Sequence, residues 1–418
     1  VTPSLHALLP LLDPALGAAL ASPEARARLA AALARLPLVA HGGLEVRLGA
    51  AAGPVDLALH VGPEDGGYAA LAEGTGFRDA GPDEGAPGAG SAWARLRAFA
   101  AAAAADPRLR EAAPSAWIEY DLDGGAADTA PADAAGKAAK APSVAHTLAA
   151  PNLFLRVGDV AVRPAARGPR AAPQQAEAVA RLTDVLSGLG LDPDEAPVRP
   201  DGAPGETGRE TMVRVFRALP ASAEMGFLGV LLGRETRGMR LALRDFPLSE
   251  LTAFLDVVGW PHSHRLLLPL LHVVRDHTDR VDLQLDVQGG VHGPLGLEVA
   301  LARDPADAPR ARPFLGALVR AGLATSDQTD ALLAWPAEVT RYGGGEGAAA
   351  LWPKGLDAPA VRRTLNHVKL TFDPGAAGAL ARGAEVPSLA ASVAAGRLRA
   401  KAYLAFTAGR ASLHPARW

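Results

Sequence analysis

Short stretches in which apolar and polar residues alternate recur along the chain, and helical patterns separate them in pairs. Leu44 to Leu48 (LEVRL) and Val55 to Val61 (VDLALHV) alternate with period two, the second after a Gly-Pro turn. Period-two alternation marks half-buried strands, and a period near 3.6 marks amphipathic helices. Residues 3–36 ahead of this pair read as two helices, with breaks near Pro14 and near Ser22-Pro23. The unit then recurs. An Ala-rich helix over 89–105 precedes Ala116 to Leu122 (AWIEYDL) and Leu153 to Val157 (LFLRV), with a low-complexity loop over 124–142 between the two strands. A helix over 172–190, a Pro- and Gly-rich loop over 191–208 and a short helix over 209–218 lead to strands at Glu224 to Leu232 and Met239 to Leu243. Helices at Leu248 to Val258 and His264 to Asp276 lead to Val281 to Val287 and Leu295 to Leu301. In the last unit, helices over 308–323 and 326–335, a Gly-rich loop at 343–347 and a helical turn at Ala358 to Thr364 precede Leu365 to Phe372. A helical insert then leads to Leu398 to Phe406.

Five such helix–helix–strand–strand units predict an α/β fold: a closed antiparallel β-barrel of ten strands wrapped by helices. The expected units run roughly over 1–62, 63–158, 159–246, 247–303 and 304–418 of a single domain. Closure removes exposed strand edges. The helices cover one face of every strand, so the other face points to the barrel axis. Parity then assigns Glu45, Arg47, Asp56, His60, Trp117, Glu119, Asp121, Asn152, Phe154, Arg156, Arg240, Arg244, Asp282, Gln284, Asp286, Glu298, His367, Lys369, Arg399, Lys401 and Tyr403 to the lumen. Trp117, Phe154 and Tyr403 are the aromatics expected inside. Burying so many charges dry would be very costly, so the lumen is expected to be wet, a ligand chamber or laced with ion pairs. An open sheet with a polar outer face would show the same alternation. The pairing of strands throughout, and the helices' need for a face to pack on, favour the barrel.

Composition narrows the chemistry. Hydrophobic residues are 49% and charged residues 21% of the 418, enough apolar content for a sizeable core. A net charge of −3 leaves no basic field for nucleic acid or an anionic membrane. There is no cysteine, which excludes disulfides, thiolate metal sites and cysteine nucleophiles. No run of about 18 apolar residues suggests a membrane span. The first residues read as a short helix without the basic leader and cleavage site of a secretory signal, and a cytoplasmic protein is expected.

Of the five lysines, Lys137, Lys140 and Lys354 fall in predicted loops, while Lys369 and Lys401 face inward on the last two strands. A compact point charge or a nucleophilic amine suits those two places, as does ordinary ion pairing with Glu298 or Asp286. Glu45, Glu119 and Glu298 are candidate general acids or bases, and each also fits as an ion-pair partner. His367 suits proton transfer or a packed, hydrogen-bonded role. Asp121-x-Asp123 has the residue types for a divalent metal but equally reads as a solvated strand end. His262-Ser-His264 lacks a third ligand at diagnostic spacing. No metal site is therefore expected. Walker, dinucleotide-binding, nucleophile-elbow and zinc-protease motifs are absent.

Several of these residues sit in patterns that resemble the aromatic prenyltransferase family, the PT-barrel or ABBA fold. Gly43-Leu44-Glu45-Val46 resembles the strand that carries the acceptor-binding Glu. Tyr120-Asp121-Leu122 resembles the family's Phe-Asp-Leu-Lys strand. Arg399-Ala-Lys401-Ala-Tyr403 matches its Arg-x-Lys-x-Tyr strand, whose three side chains share one face and grip phosphate. The resemblance implies five ααββ units around a solvent-filled lumen. It also implies an enzyme of specialised metabolism that transfers an allylic group to an aromatic small molecule or a peptide side chain. The implied co-substrate is a prenyl diphosphate, without a Mg2+ requirement. Arg240, Lys369, Arg399, Lys401 and Tyr403 would hold the diphosphate, and Glu45 would orient or deprotonate the acceptor. Arg47, Trp117, Arg244 and Gln284 complete the expected substrate-binding set, and Glu119, Glu298 and His367 the catalytic one.

The chain departs from that pattern as well. Asp56 stands where the family has Arg, Asp123 where it has Lys, Asn152 and Phe154 where it has Lys and Tyr, and Ala242 and Arg244 where it has Lys and Tyr. With four tyrosines in all, the usual tyrosine shield cannot be built. A second reading keeps the barrel and assigns acid–base chemistry, cyclisation or hydrolysis, to Glu119, Glu298 and His367. A third is a non-catalytic carrier or peptide-binding protein.

Overall fold

The computed structural model describes residues 4–49, 52–62, 67–74, 89–122, 151–157, 171–192, 194, 205–232, 238–301, 309–340, 360–375 and 388–408. The expected loops at 124–142 and 343–347, with Asp123, Lys137, Lys140 and Lys354, lie outside them.

The strands are β1 (His41–Leu48), β2 (Val55–Val61), β3 (Ser115–Tyr120), β4 (Asn152–Arg156), β5 (Glu224–Val230), β6 (Met239–Pro247), β7 (Arg280–Val287), β8 (Val291–Ala300), β9 (Ala337–Thr340), β10 (Ala360–Phe372) and β11 (Leu398–Ala408). Each of β1 to β8 pairs antiparallel with the next. Then β8 pairs with β10, β10 with β11, and β11 back with β1. The result is a closed ring of ten antiparallel strands, as expected from the alternation and as the resemblance implied.

Three features differ from expectation. Of the helical turn expected at Ala358 to Thr364, the described part, from Ala360 onward, belongs to β10 instead. The first part of β10 runs past the end of β8 and pairs instead with an eleventh strand, β9, which stands outside the ring. The polar triplet Arg362-Arg363-Thr364 hides this from a pattern reading. Arg363 points into the helical layer, where it donates to the carbonyl of Leu11 at 3.2 Å and lies over the Trp335 ring. In the N-terminal helix Leu9–Leu20 the break falls at Gly17, which takes φ +57°, while Pro14 sits within the helix.

Helices precede each strand pair and lie on the outside: Leu9–Leu20 and Pro23–Arg35; Ala89–Ala105 and Pro107–Ala112; Ala171–Gly188 and Gly208–Ala218; Leu251–Val257 and Leu268–Val274; Arg312–Arg320 and Ser326–Ala334. Their starts are set by local chemistry. Thr207 with Glu210, and Thr325 with Gln328, form reciprocal capping boxes that satisfy otherwise orphaned amides. The outward strand residues pack under these helices as one apolar core, from Leu44 and Val46 on β1 to Leu404 and Phe406 on β11. Among the described residues, no helix is long and apolar enough to cross a membrane.

The β1–β11 seam has a specific lock. Gly42 pairs with Phe406, and a Cβ on Gly42 would stand 2.3 Å from the ring's Cζ. The buried ring therefore lies across bare backbone. Gly42→Ala is expected to lower stability by about 1–3 kcal/mol, the usual range for overpacking, read as a drop in melting temperature.

Candidate functional site

Register brings the polar inward residues into two neighbouring rungs. Tyr403 on β11 lies opposite Glu45 on β1 and His367 on β10. One step along, Lys401 lies opposite Arg47 and Lys369, and Lys369 lies opposite Glu298, which faces Asp282 on β7. Side-chain bonds then link the rungs. Lys401 donates to Glu45, Tyr403 donates to Glu45, Lys369 donates to Gln284, and Gln284 donates to Glu298. Glu298 Oε2 lies 3.7 Å from His367 Nε2. The His367 ring stacks on Tyr403 with centroids 4.1 Å apart. Gly296 makes room for this: a Cβ there would sit 2.9 Å from Lys369 Cε and 3.1 Å from Gln284 Cβ.

Around this cluster, cations meet carboxylates. Arg240 grips Asp286 with two bonds of 2.6 and 2.9 Å. Arg244 lies 3.7 Å from Glu224 and 3.9 Å from Asp282. Arg47 lies 3.9 Å from Asp56, and Arg399 lies 3.4 Å from Asp373. The lumen is thus a charge-balanced lattice, as burial of so many ions requires. Arg244 lies in an irregular stretch of β6. A bulge between Leu243 and Phe246 puts Asp245 at φ +51°, and its amide donates to Asp282 at 3.0 Å.

The two buried glutamates of the cluster are driven apart. Burial alone would raise the Glu45 carboxyl, but Lys401 and Lys369, with bonds from Lys401 and Tyr403, bring it down to about 2. Burial raises Glu298 to about 7, with Glu45 adding repulsion and Lys369, Arg240 and Arg244 opposing. Asp282 rises to about 6 through burial and the charge of Glu298. Burial, aided by Arg240, lowers Lys369 to about 8. The Tyr403 phenol is pushed well up by burial and by Glu45, Glu119 and Glu298.

Across the lumen, β2 to β6 present an apolar wall. Ala58, Trp117, Phe227 and Ala242, with Phe154 against them, form a cluster separate from the main core. Phe227 corrects the expectation that Trp117, Phe154 and Tyr403 are the inward aromatics. Strict alternation would send it outward with Met225. A bulge between the two, at Gly226, turns it in to pair with Ala242. Gly226 and Gly229 are the sequence signal for this: a Cβ at Gly229 would stand 2.7 Å from Phe154. His60 sits at the edge of the wall, 5.0 Å from the Trp117 ring and 5.8 Å from His41. Burial, with His41 and Arg156, lowers it to about 4, so it stays neutral.

The chain is similar to solved structures over nearly its whole length. 6-Dimethylallyltryptophan synthase from Micromonospora olivasterospora, in complex with DMASPP and Trp, is 15% identical, with 97% of each chain covered and a TM-score of 0.41. PriB, in a binary complex with product diphosphate, is 14% identical, with 98% of this chain and 100% of that one covered and a TM-score of 0.42. A 6-dimethylallyl tryptophan synthase is 16% identical, with 97% and 96% covered and a TM-score of 0.40. No family model matches the chain, and neither does any curated protein.

Of the candidates named from the sequence, Glu45, Arg240, Gln284, Glu298, His367, Lys369, Lys401 and Tyr403 form one connected cluster, and the charge of Glu119 acts on both Arg240 and Tyr403. Arg244 borders this cluster, 3.9 Å from Asp282, and its charge acts on Glu298. Arg47 and Arg399 sit at more exposed positions beside Asp56 and Asp373. Trp117 belongs to the apolar wall rather than the polar arc. His262 and His264 both pack against Trp260, and His264 faces Asp256 at 3.4 Å. Among the described residues, no three His, Asp or Glu side chains are grouped to hold a metal ion.

Proposed function

We propose that the lumen is the active site of a prenyl-group transferase, moving an allylic group from a prenyl diphosphate to an aromatic small molecule or a peptide side chain. One observation carries the reading: Lys369 and Lys401 stand side by side on the same face of adjacent strands, across the lumen from aromatic side chains. Adjacent like charges are unfavourable in a sheet unless an anion answers both. In the structure Glu45 answers both, and the leaving diphosphate would join it as a second anion on the same pair, held with Arg240, Arg399 and Tyr403 by charge-assisted hydrogen bonds. Trp117, Phe154 and Phe227 would face the allylic cation with their ring faces. Glu45, kept ionised by its lysines, would orient a hydrogen-bond donor of the acceptor.

The carboxylates Glu119, Asp286 and Glu298 oppose a bare diphosphate trianion. Donor binding is therefore expected to strengthen as pH falls, or when Mg2+ accompanies the donor. The test is incubation with dimethylallyl or geranyl diphosphate and a panel of aromatic acceptors, with and without Mg2+, following pyrophosphate release and product mass. No binding and no pyrophosphate release with any donor would overturn the reading.

A second reading rests on a different observation: Arg47, Arg240, Arg244, Arg399 and Lys401 each have a carboxylate within hydrogen-bond or ion-pair distance. Such a chamber suits a substrate without phosphate, turned over by Glu119, Glu298 and His367 as acids and bases. Glu45→Gln combined with Lys401→Met, which leaves neither charge of the pair behind, separates the two. It abolishes donor binding under the first and spares turnover of a neutral substrate under the second.

A further inference from the structure

The polar arc contains two glutamates, and their surroundings give them different work. Glu45 is 3% exposed, receives bonds from Lys401 and Tyr403, and feels Lys369 beside them. Protonating it would leave the half-buried Lys401 without its counter-charge, so it acts as a fixed anion. Glu298 is differently placed. One oxygen accepts from the Gln284 amide, a neutral donor. The other faces the His367 imidazole at 3.7 Å, beyond hydrogen-bond reach. Its side chain is 11% exposed.

We propose that Glu298, and not Glu45, is the general base that takes up the proton the acceptor loses in the lumen. The assignment deepens the prenyl-transfer reading and rests on it for the identity of the acceptor. The charged and titratable groups around Glu298 are Asp282 on β7, His367 and Lys369 on β10, Tyr403 on β11, Glu45 on β1, and Arg240 and Arg244 on β6. Two carboxylates pushed in opposite directions divide into an anion that binds and a base that cycles. The proton affinity of Glu298 near neutrality agrees with that division.

The step balances as follows. The donor's C–O bond breaks and its electron pair leaves with the diphosphate. The new bond to the allylic carbon uses a π pair of the acceptor ring. The electron pair of the ring's C–H bond then returns to the ring, and that proton goes to the Glu298 carboxylate. The neutral acid releases it to water as product leaves, with His367 beside it.

Two measurements test the assignment, and the first needs no donor. Infrared difference spectra of the whole protein, titrated from about pH 5 to about pH 9, should show a protonated-carboxyl stretch that fades near neutrality, within the range of strongly perturbed buried carboxyls. In an Asp282→Asn background, which removes the second raised carboxyl, Glu298→Gln should abolish that band, and Glu45→Gln should retain it. The second is the pH profile of prenyl transfer. Glu298→Gln should lower kcat about 100-fold or more with little change in KM, and should remove the acidic limb. Glu298→Asp should restore a limb. Glu45→Gln should instead raise the KM for acceptor and keep the limb. A near-neutral band that survives Glu298→Gln, or an acidic limb that does, overturns the assignment. Failure of every donor with the band present and lost in Glu298→Gln overturns prenyl transfer and leaves Glu298 as the proton acceptor.

Discussion

Lys401→Met should destabilise the barrel by about 3 kcal/mol or more, the usual cost of removing one partner from a buried ion pair. The loss comes from what remains. Glu45 is ionised and almost fully buried, and Lys401 is the strongest of the charges that hold it so. Lys369 stays nearby but already bonds Gln284, and Tyr403 supplies a neutral donor. Glu45 must then take up a proton or draw in water, and either change disturbs the β1–β11 seam where the pair sits. Glu45→Gln combined with Lys401→Met removes both charges and should recover most of the loss. Urea denaturation of the single and double variants reads this directly. Equal destabilisation by the single and the double variant would show that the pair is not what the seam depends on. The double variant should also bind no diphosphate donor, which separates fold from function in one protein.

Stability should fall, not rise, as pH goes from about 5 to about 7.5, by an amount on the order of 3 kcal/mol. The sign follows from Asp282 and Glu298. Their folded values are raised, from 3.8 to about 6 and from 4.5 to about 7. In that window the folded chain holds protons that the unfolded chain has released, so each step up in pH favours unfolding. Glu45 works oppositely. Its depressed value contributes stability above its ordinary range that is lost as pH falls toward about 2. Lys369, lowered to about 8, recovers stability as pH rises from about 8 toward its ordinary 10.5. A maximum at about pH 4 and a dip at about pH 8 are therefore expected in urea midpoints. Glu298→Gln should flatten the slope by more than half, because it also relieves Asp282. A wild-type midpoint constant across this range would contradict the placement of both carboxyls.

Much of this was legible in the alternation. Parity alone placed Glu45, Lys369, Lys401 and Tyr403 on one surface, because side chains two apart on a strand share a face. Parity fails where a bulge resets it. Phe227 reads as outward until Gly226 is seen to absorb one residue, and the start of β10 reads as polar because Arg363 buries its guanidinium against Trp335. Charge pairing was the least legible. The faces of Arg240 and Asp286 follow from their own strands, but their bidentate contact follows from the register of β6 on β7. The departures at Asp56 and Arg244 gain a physical sense from that lattice. Asp56 answers Arg47, and Arg244 answers Glu224 and Asp282.

A ring of strands has no loose side unless one member is longer than its neighbour. β10 is such a member: its Ala360–Arg363 segment lies beyond the reach of β8. There the backbone would offer amides and carbonyls to any extended chain that came by, including another copy of this protein. β9 occupies that place, its Ala337–Thr340 paired one for one with the overhang. The open edge of the sheet thereby passes from β10 to the four-residue β9, and very short edge strands are one way a sheet limits pairing with other chains.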